Sequence, residues 1–185
     1  KVNWINKGMY LYGVPGIVIE DKENQSAYDR ITVDTENMIK SNITFAKKVS
    51  VIIPAYNSET TIGTAIESML NQTWSNLEIL VVDDCSSDET KAVIQQYVER
   101  DQRVHLLTTE KNGGAYVARN VALKAATGDY VTINDADDWS HPEKIKAQVE
   151  HLEENPNIIG NFSQQARVTE DLKFYRRGKP GIYVF

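Results

Sequence analysis

Between residues 49 and 162, short continuous apolar runs alternate with stretches whose apolar residues recur at three- and four-residue steps. This is the pattern of strands and amphipathic helices laid down in turn on a parallel sheet. Residues 49–53 predict a buried strand that Pro54 ends, because proline has no N–H for the ladder. Ile62, Ala65, Ile66, Met69 and Leu70 give the following helix one apolar face. Residues 77–82 predict the second strand. Ser86-Ser87-Asp88-Glu89 then has capping-box spacing, which predicts a helix start, with Val93, Ile94, Tyr97 and Val98 as its buried stripe. Residues 104–107 predict a third strand, and Gly113-Gly114 loosens the backbone before an alanine-rich helix over 115–126 that Thr127-Gly128 ends. Residues 130–133 predict a fourth strand. Ser140-x-x-Glu143 with Pro142 predicts a further helix whose apolar face is Ile145, Val149 and Leu152, and residues 158–162 predict a fifth strand.

This periodicity sets off a core over 47–162. Residues 1–46 show one convincing strand, 16–20, and are expected to be an appendage whose structure the pattern does not fix. Residues 163–185 turn polar, then basic at Arg176-Arg177-Gly178-Lys179, then apolar at Ile182-Tyr183-Val184-Phe185. They are expected to be the truncated start of an acceptor-side region, and the chain a fragment of a longer enzyme, since an apolar strand-like run makes an odd terminus.

Composition narrows the classes. At 185 residues and 41% hydrophobic, the chain is long enough for one substantial core but not for two full domains. With 26 acidic against 20 basic residues, a net charge of −6 and no Lys/Arg run longer than two, a nucleic-acid partner is not expected. A single cysteine excludes a disulfide framework and a cysteine-rich zinc site. No transmembrane segment and no signal peptide are legible, so the expected location is cytoplasmic. A peripheral membrane contact through the short basic segment is weighed against a solvated loop, which is the plainer account.

Candidate chemistry gathers at two acidic turns. In an open α/β sheet, ligands collect outside the carboxyl ends of the strands, and Asp83-Asp84 and Asp135-Ala136-Asp137-Asp138 both follow predicted strands. Five carboxylates facing one crevice would repel one another and any phosphate unless a cation sat among them. Oxygen-only ligands suit Mn²⁺ or Mg²⁺. The plainer account, that acidic residues after strands are turn formers and caps, is an even match for Asp84, Ser86 and Asp88. It is weaker for Asp135 and Asp137, whose crowding exceeds what a turn needs.

Four segments together resemble the family 2 glycosyltransferases: Val51-Ile52-Ile53-Pro54-Ala55-Tyr56-Asn57, Val81 to Asp88, Asn112-Gly113-Gly114 through Arg119-Asn120, and Asp135-Ala136-Asp137-Asp138. The resemblance covers residues 47–160 and implies an α/β fold of the GT-A type, a Rossmann-like sandwich on a mostly parallel sheet. It also implies an inverting transfer from a nucleoside diphosphate sugar, with UDP the expected nucleotide, assisted by Mn²⁺ or Mg²⁺, to a saccharide or lipid-linked acceptor. By the same resemblance Pro54, Ala55, Tyr56, Asn57 and Glu59 line the base and ribose pocket, and either Asp83 or Asp84 accepts the uracil imide N–H. Asn112, Arg119 and Ala136 border the nucleotide sugar, Asp135 meets ribose or sugar hydroxyls, and Asp137 binds the metal. Arg119 has the plainer account of an exposed helix arginine. Cys85 and Trp139 are read as structural.

The general base is not identified. The family places it further along than this chain extends, and Glu170-Asp171 is a weak imitation of its motif. The alternative function is therefore a non-catalytic nucleotide-sugar-binding fragment that lacks the acceptor half and the base. An oxidoreductase fails because Pro-Ala-Tyr-Asn stands where G-x-G-x-x-G is needed. An aspartyl phosphatase would carry its D-x-D after the first strand, and a nucleotidyltransferase would carry a glycine-rich, basic first loop.

Overall fold

The computed structural model describes residues 2–11, 13–23, 25–34 and 46–163. In chain order the elements are α1 (Asn3–Leu11), β1 (Ile17–Ile19), β2 (Ile31–Val33), β3 (Val49–Ala55), α2 (Ile62–Leu70), β4 (Leu77–Asp83), α3 (Thr90–Arg100), β5 (Val104–Thr108), α4 (Ala115–Ala125), β6 (Tyr130–Ile133) and α5 (Lys144–Glu154), with a 3₁₀ turn at Tyr28–Arg30. The chain divides into two compact units, Asn42–Ser140 and Lys1–Ser41 with His141–Phe185.

The larger unit is a four-stranded parallel sheet in the order β5-β4-β3-β6. β3 and β4 are buried along their whole length, which is why their sequences read as unbroken apolar runs instead of alternating ones. Ile52, Leu80 and Val82 pack against Ala118 and Ala122 of α4 on one face. On the other face Val51, Ile53, Ile79 and Val81 are fully buried. Small residues on α4 let the helix approach the sheet closely, and each Ile or Val buried this way contributes about 1.5–3 kcal/mol. α3 packs on β4, β5 and α2.

Pro54 does not end its strand. β3 runs on through Ala55, pairing Pro54 with Val82 and Ala55 with Asp83. Along β3 the backbone groups alternate sides: Val49 N–H and Ala55 C=O face β4, while Ile52 C=O accepts from Asn134 on the β6 side. Position 54 therefore faces β6, whose pairing has already stopped at Ile52↔Ile133, so no donor is missed there.

The fifth strand expected over 158–162 is also absent. These residues are irregular, with Ile159 and Phe162 exposed, and among the described residues none pairs with their backbone as a ladder. Both capping boxes are corrected as well. α3 starts at Thr90, and the Asp88 carboxylate, not Ser86, accepts the Thr90 N–H at 3.0 Å. α5 starts at Lys144, and the His141 ring Nδ1 accepts the Glu143 N–H at 3.1 Å.

In the smaller unit β1 pairs antiparallel with β2, Ile17 opposite Val33. Asn6 ties α1 to β1: its side-chain amide donates to the Ile17 carbonyl at 2.9 Å and its oxygen accepts the Ile17 N–H at 2.8 Å. The expected strand at 16–20 is present as β1, whereas α1 and β2 have no counterpart in the sequence pattern. His141 is buried, its Nε2 lies 3.0 Å from the Pro15 carbonyl, and burial pulls its pKa down, which keeps the ring neutral.

At the amino ends of the strands a buried acid closes the sheet. Glu78, beside Ser50 in register, accepts from Lys48 Nζ at 2.6 Å, the Ser50 hydroxyl, and the Thr127 N–H and hydroxyl at 2.6 and 2.8 Å. Gly128 sits so close that a Cβ there would meet the Ser50 nitrogen at 2.6 Å, so no larger residue fits. Burial would raise the Glu78 pKa, but these donors outweigh it and lower it from 4.5 to about 2. A depressed carboxylate stabilises the fold above its unfolded pKa, and that contribution disappears as pH falls from about 4.5 towards about 2. Glu78→Gln is expected to lose roughly 3 kcal/mol at pH 7 in urea unfolding. The difference from wild type should shrink on acidification below pH 4.5.

Candidate functional site

The strand order places the topological switch between β3 and β6: the chain moves outward from β3 to β4 and β5, then returns to the other side of β3. At such a point the loops diverge and leave a crevice at the carboxyl ends. A cleft of 520 Å³ lies there, formed wholly by the larger unit.

The loop after β3 supplies Pro54, Ala55, Tyr56 and Asn57 to its wall. Tyr56 is 51% exposed, so its ring stands at the mouth. Asn57 takes a positive φ of 47°, which asparagine tolerates, and its side-chain oxygen accepts the Ser87 N–H at 2.9 Å. The Ser86 hydroxyl in turn accepts the Asn57 N–H, and Asp88 accepts the Glu59 N–H. The loops after β3 and β4 are thereby stitched together. Glu59 is not among the cleft-lining residues; its carboxylate accepts the Glu89 N–H at 2.8 Å, next to the start of α3.

Of the two acids after β4, Asp84 lines the cleft and Asp83 does not. Asp83 is buried and accepts the Ser86 N–H at 3.2 Å. Asp84, also buried, accepts the Thr109 hydroxyl at 2.6 Å, the Gly113 N–H at 3.1 Å and the Gly114 N–H at 2.6 Å. Burial pushes its carboxyl up, but the hydrogen bonds outweigh that and hold its pKa below the usual aspartate value. Gly114 takes φ 81° at the N-terminus of α4, a conformation open to glycine without strain. Asn112 lines the cleft beside it.

From α4, Arg119 reaches over the cleft and pairs with Asp135, Nη2 to Oδ1 at 2.6 Å. Its guanidinium stacks 5.4 Å from the Tyr116 ring centroid, and its Nε is buried without a partner. The sequence reading of Arg119 as a possible free surface arginine gives way to this pair. Asp135, Ala136 and Asp137 line the same wall. Asn134, which the sequence pattern did not single out, frames that loop: its amide donates to the carbonyls of Asp135 and Asp138 at 3.1 and 3.0 Å, and its oxygen accepts from Ser140 at 2.7 Å. A buried amide at the end of an apolar strand was the available signal.

The charge crowding expected from sequence is largely relieved by the protein itself. Asp83 and Asp84 are met by backbone N–H groups and a hydroxyl, and Asp135 by Arg119. Asp137 is exposed and has no hydrogen-bond or ion-pair partner among the described residues. No group of three or more His, Cys, Asp or Glu gathers to hold a metal among those residues. Mn²⁺ or Mg²⁺ needs only one or two carboxylates when ligand phosphate and water complete its shell, and the exposed Asp137 carboxylate on the cleft wall fits that need. The weak base candidates Glu170 and Asp171 lie outside the described residues, as does the basic segment Arg176-Arg177-Gly178-Lys179.

Residues 50–180 match the family model described as glycosyl transferase family 2. The chain is 43% identical to UDP-Glc:alpha-D-GlcNAc-diphosphoundecaprenol beta-1,3-glucosyltransferase WfgD of Escherichia coli, an alignment that takes in 65% of this chain and 53% of that protein. Among solved structures it resembles S. aureus TarS 1-349 in complex with UDP-GlcNAc (37% identity, TM-score 0.55, 59% of this chain and 32% of that one). It also resembles the mannosyltransferase PcManGT of Pyrobaculum calidifontis in complex with GDP-Man and Mn²⁺ (31% identity, TM-score 0.55, 59% and 33%). These neighbours are GT-A glycosyltransferases, and the parallel sheet is the GT-A core. The chain spans about a quarter to about half of the length of the curated relatives it matches. No helix among the described residues is long and apolar enough to cross a membrane.

Asp84→Asn turns one acceptor oxygen into an NH₂ group facing amide and hydroxyl donors. It is expected to cost about 2 kcal/mol in urea unfolding at pH 7. Because the native carboxyl is held below its usual 3.8, the gap from wild type should close as pH falls through and below that value.

Proposed function

The chain belongs to glycosyl transferase family 2, and from that premise we propose that it is the donor-binding part of an inverting glycosyltransferase that uses a UDP-linked sugar. The observation that carries this reading is the cleft at the β3/β6 switch, where Asp137 presents an exposed carboxylate with no partner among the described residues beside the Arg119–Asp135 pair. UDP-sugars named for WfgD and TarS support the nucleotide, and the Mn²⁺ complex of PcManGT supports a divalent metal.

In this reading Tyr56 offers its ring to the base at the mouth of the cleft, and Asp84 accepts the imide N–H. A carboxylate has about four lone-pair positions, and three donors leave Asp84 room for one more. Asp135 spends Oδ1 on Arg119 and keeps Oδ2 for a ribose or sugar hydroxyl. The buried Nε–H of Arg119 lacks an acceptor, which a donor oxygen would supply. Asp137, with Asp135 as its neighbour, would hold Mn²⁺ or Mg²⁺. The ion when bound would neutralise charge developing on the leaving diphosphate. A saccharide or lipid-linked acceptor is the proposed partner, the latter in keeping with the substrate in WfgD's name.

The second reading is donor binding without efficient transfer by these residues alone. It is favoured by the acids of the cleft: Asp84, Asp135 and Asp137 each have a proposed role, which leaves no lining carboxylate among the described residues to take the acceptor proton.

Calorimetric titration of UDP, with and without Mn²⁺, tests the reading. Mn²⁺ is expected to tighten UDP binding by about tenfold or more, and Asp137→Ala to remove that gain while the protein stays folded. Failure of folded wild-type protein to bind UDP in either condition would sink it.

A further inference from the structure

Thr109 lies just past β5, where its N–H donates to the Asp83 carbonyl at 3.2 Å and carries the β4–β5 ladder one residue further. That bond fixes the backbone from which its hydroxyl reaches Asp84 Oδ1 at 2.6 Å. From the other side the Cys85 thiol donates to the Thr109 carbonyl, S to O 3.2 Å, so the residue is gripped at both backbone groups. Among the described residues, Thr109 is the one side chain that bonds Asp84; the remaining donors are the amides of Gly113 and Gly114. The Gly113 N–H lies 3.1 Å from both carboxylate oxygens and does not distinguish them, while Gly114 holds Oδ2 at 2.6 Å. The hydroxyl holds the other oxygen, Oδ1, at 2.6 Å, so the carboxylate is fixed at both ends.

We propose that Thr109 is a positioning residue: it sets the angle at which Asp84 faces the cleft and so selects a nucleobase that carries an imide N–H. This rests on the reading of Asp84 as the base acceptor. A uracil N3–H meets a carboxylate held at that angle. Cytosine has no hydrogen at N3, and its ring presents an acceptor that the carboxylate repels.

Affinities of the 185-residue chain for UDP and for CDP, measured with Mn²⁺ by calorimetry, test this in wild type, Thr109→Val and Thr109→Ser. Valine keeps the shape and loses the donor, while serine keeps the hydroxyl. Wild type is expected to prefer UDP. Thr109→Val should lose about tenfold in UDP affinity with CDP unchanged, and Thr109→Ser should stay within about twofold of wild type on both. An equal loss for UDP and CDP in Thr109→Val would overturn the inference, since general damage to the cleft would explain it. A valine variant that discriminates as well as a discriminating wild type overturns the inference alone. Wild-type protein with no preference for UDP overturns the Asp84 reading and this inference with it.

Discussion

The parallel pairing of β3 with β4, in register from Val49↔Leu77 to Ala55↔Asp83 and buried on both faces, is the constraint from which the rest of the larger unit follows. Strands buried on both faces leave their ends as the places where polar side chains can reach water, so chemistry must be mounted there. The two ends are used differently. The amino end is closed by Glu78, whose charge is spent on Lys48, Ser50 and Thr127. The carboxyl end stays open because β6 returns beside β3 and then stops short, leaving Pro54 and the residues after it to face a gap. Proline fits at that position because the gap asks no donor of it.

What was legible in the sequence follows from the same constraint. Continuous apolar runs reported β3 and β4 because both faces are dry, and Ala118 and Ala122 reported the α4 contact because close helix packing needs small residues. The limit assigned at Pro54 was wrong for a reason the sequence cannot hold: whether an N–H is needed depends on which neighbour lies on that side. Ile158-Ile159 looked like a strand because apolar content does not reveal a pairing partner, and among the described residues none pairs with it. The Ser-x-x-Glu spacings failed for a related reason. Ser86 is engaged by Asn57 from another loop, a tertiary contact invisible to local spacing, and Asp88 takes over the helix start.

The candidate site was legible in part. The acidic turns stand out in the sequence because they follow strands, and Asn112 and Arg119 because of the family resemblance; the structure brings Asp84, Asn112, Arg119, Asp135 and Asp137 to one cleft. Asn134 and Thr109 were missed because neither is acidic, aromatic or part of a recognisable pattern. Their work is to hold other groups still. Counting carboxylates from sequence overstated the repulsion, since backbone amides that neutralise Asp83 and Asp84 leave no mark in a tally of charged residues.

That redistribution changes the electrostatic problem the cleft has to solve. With Asp84 held by amides and a hydroxyl and Asp135 by Arg119, the uncompensated charge among the described residues of the wall is that of Asp137, and it is exposed. One carboxylate repels a diphosphate modestly, and one divalent cation beside it reverses the sign of the local field. A metal held by so few protein oxygens would bind weakly by itself, because most of its shell would still be water. A diphosphate entering without the metal would meet an unpaired anion. Each ligand therefore supplies what the other lacks, and by linkage the free energy with which the metal favours the diphosphate equals that with which the diphosphate favours the metal. Under the proposed function, a cleft with one unpaired acid among its described residues would bind the two as a pair.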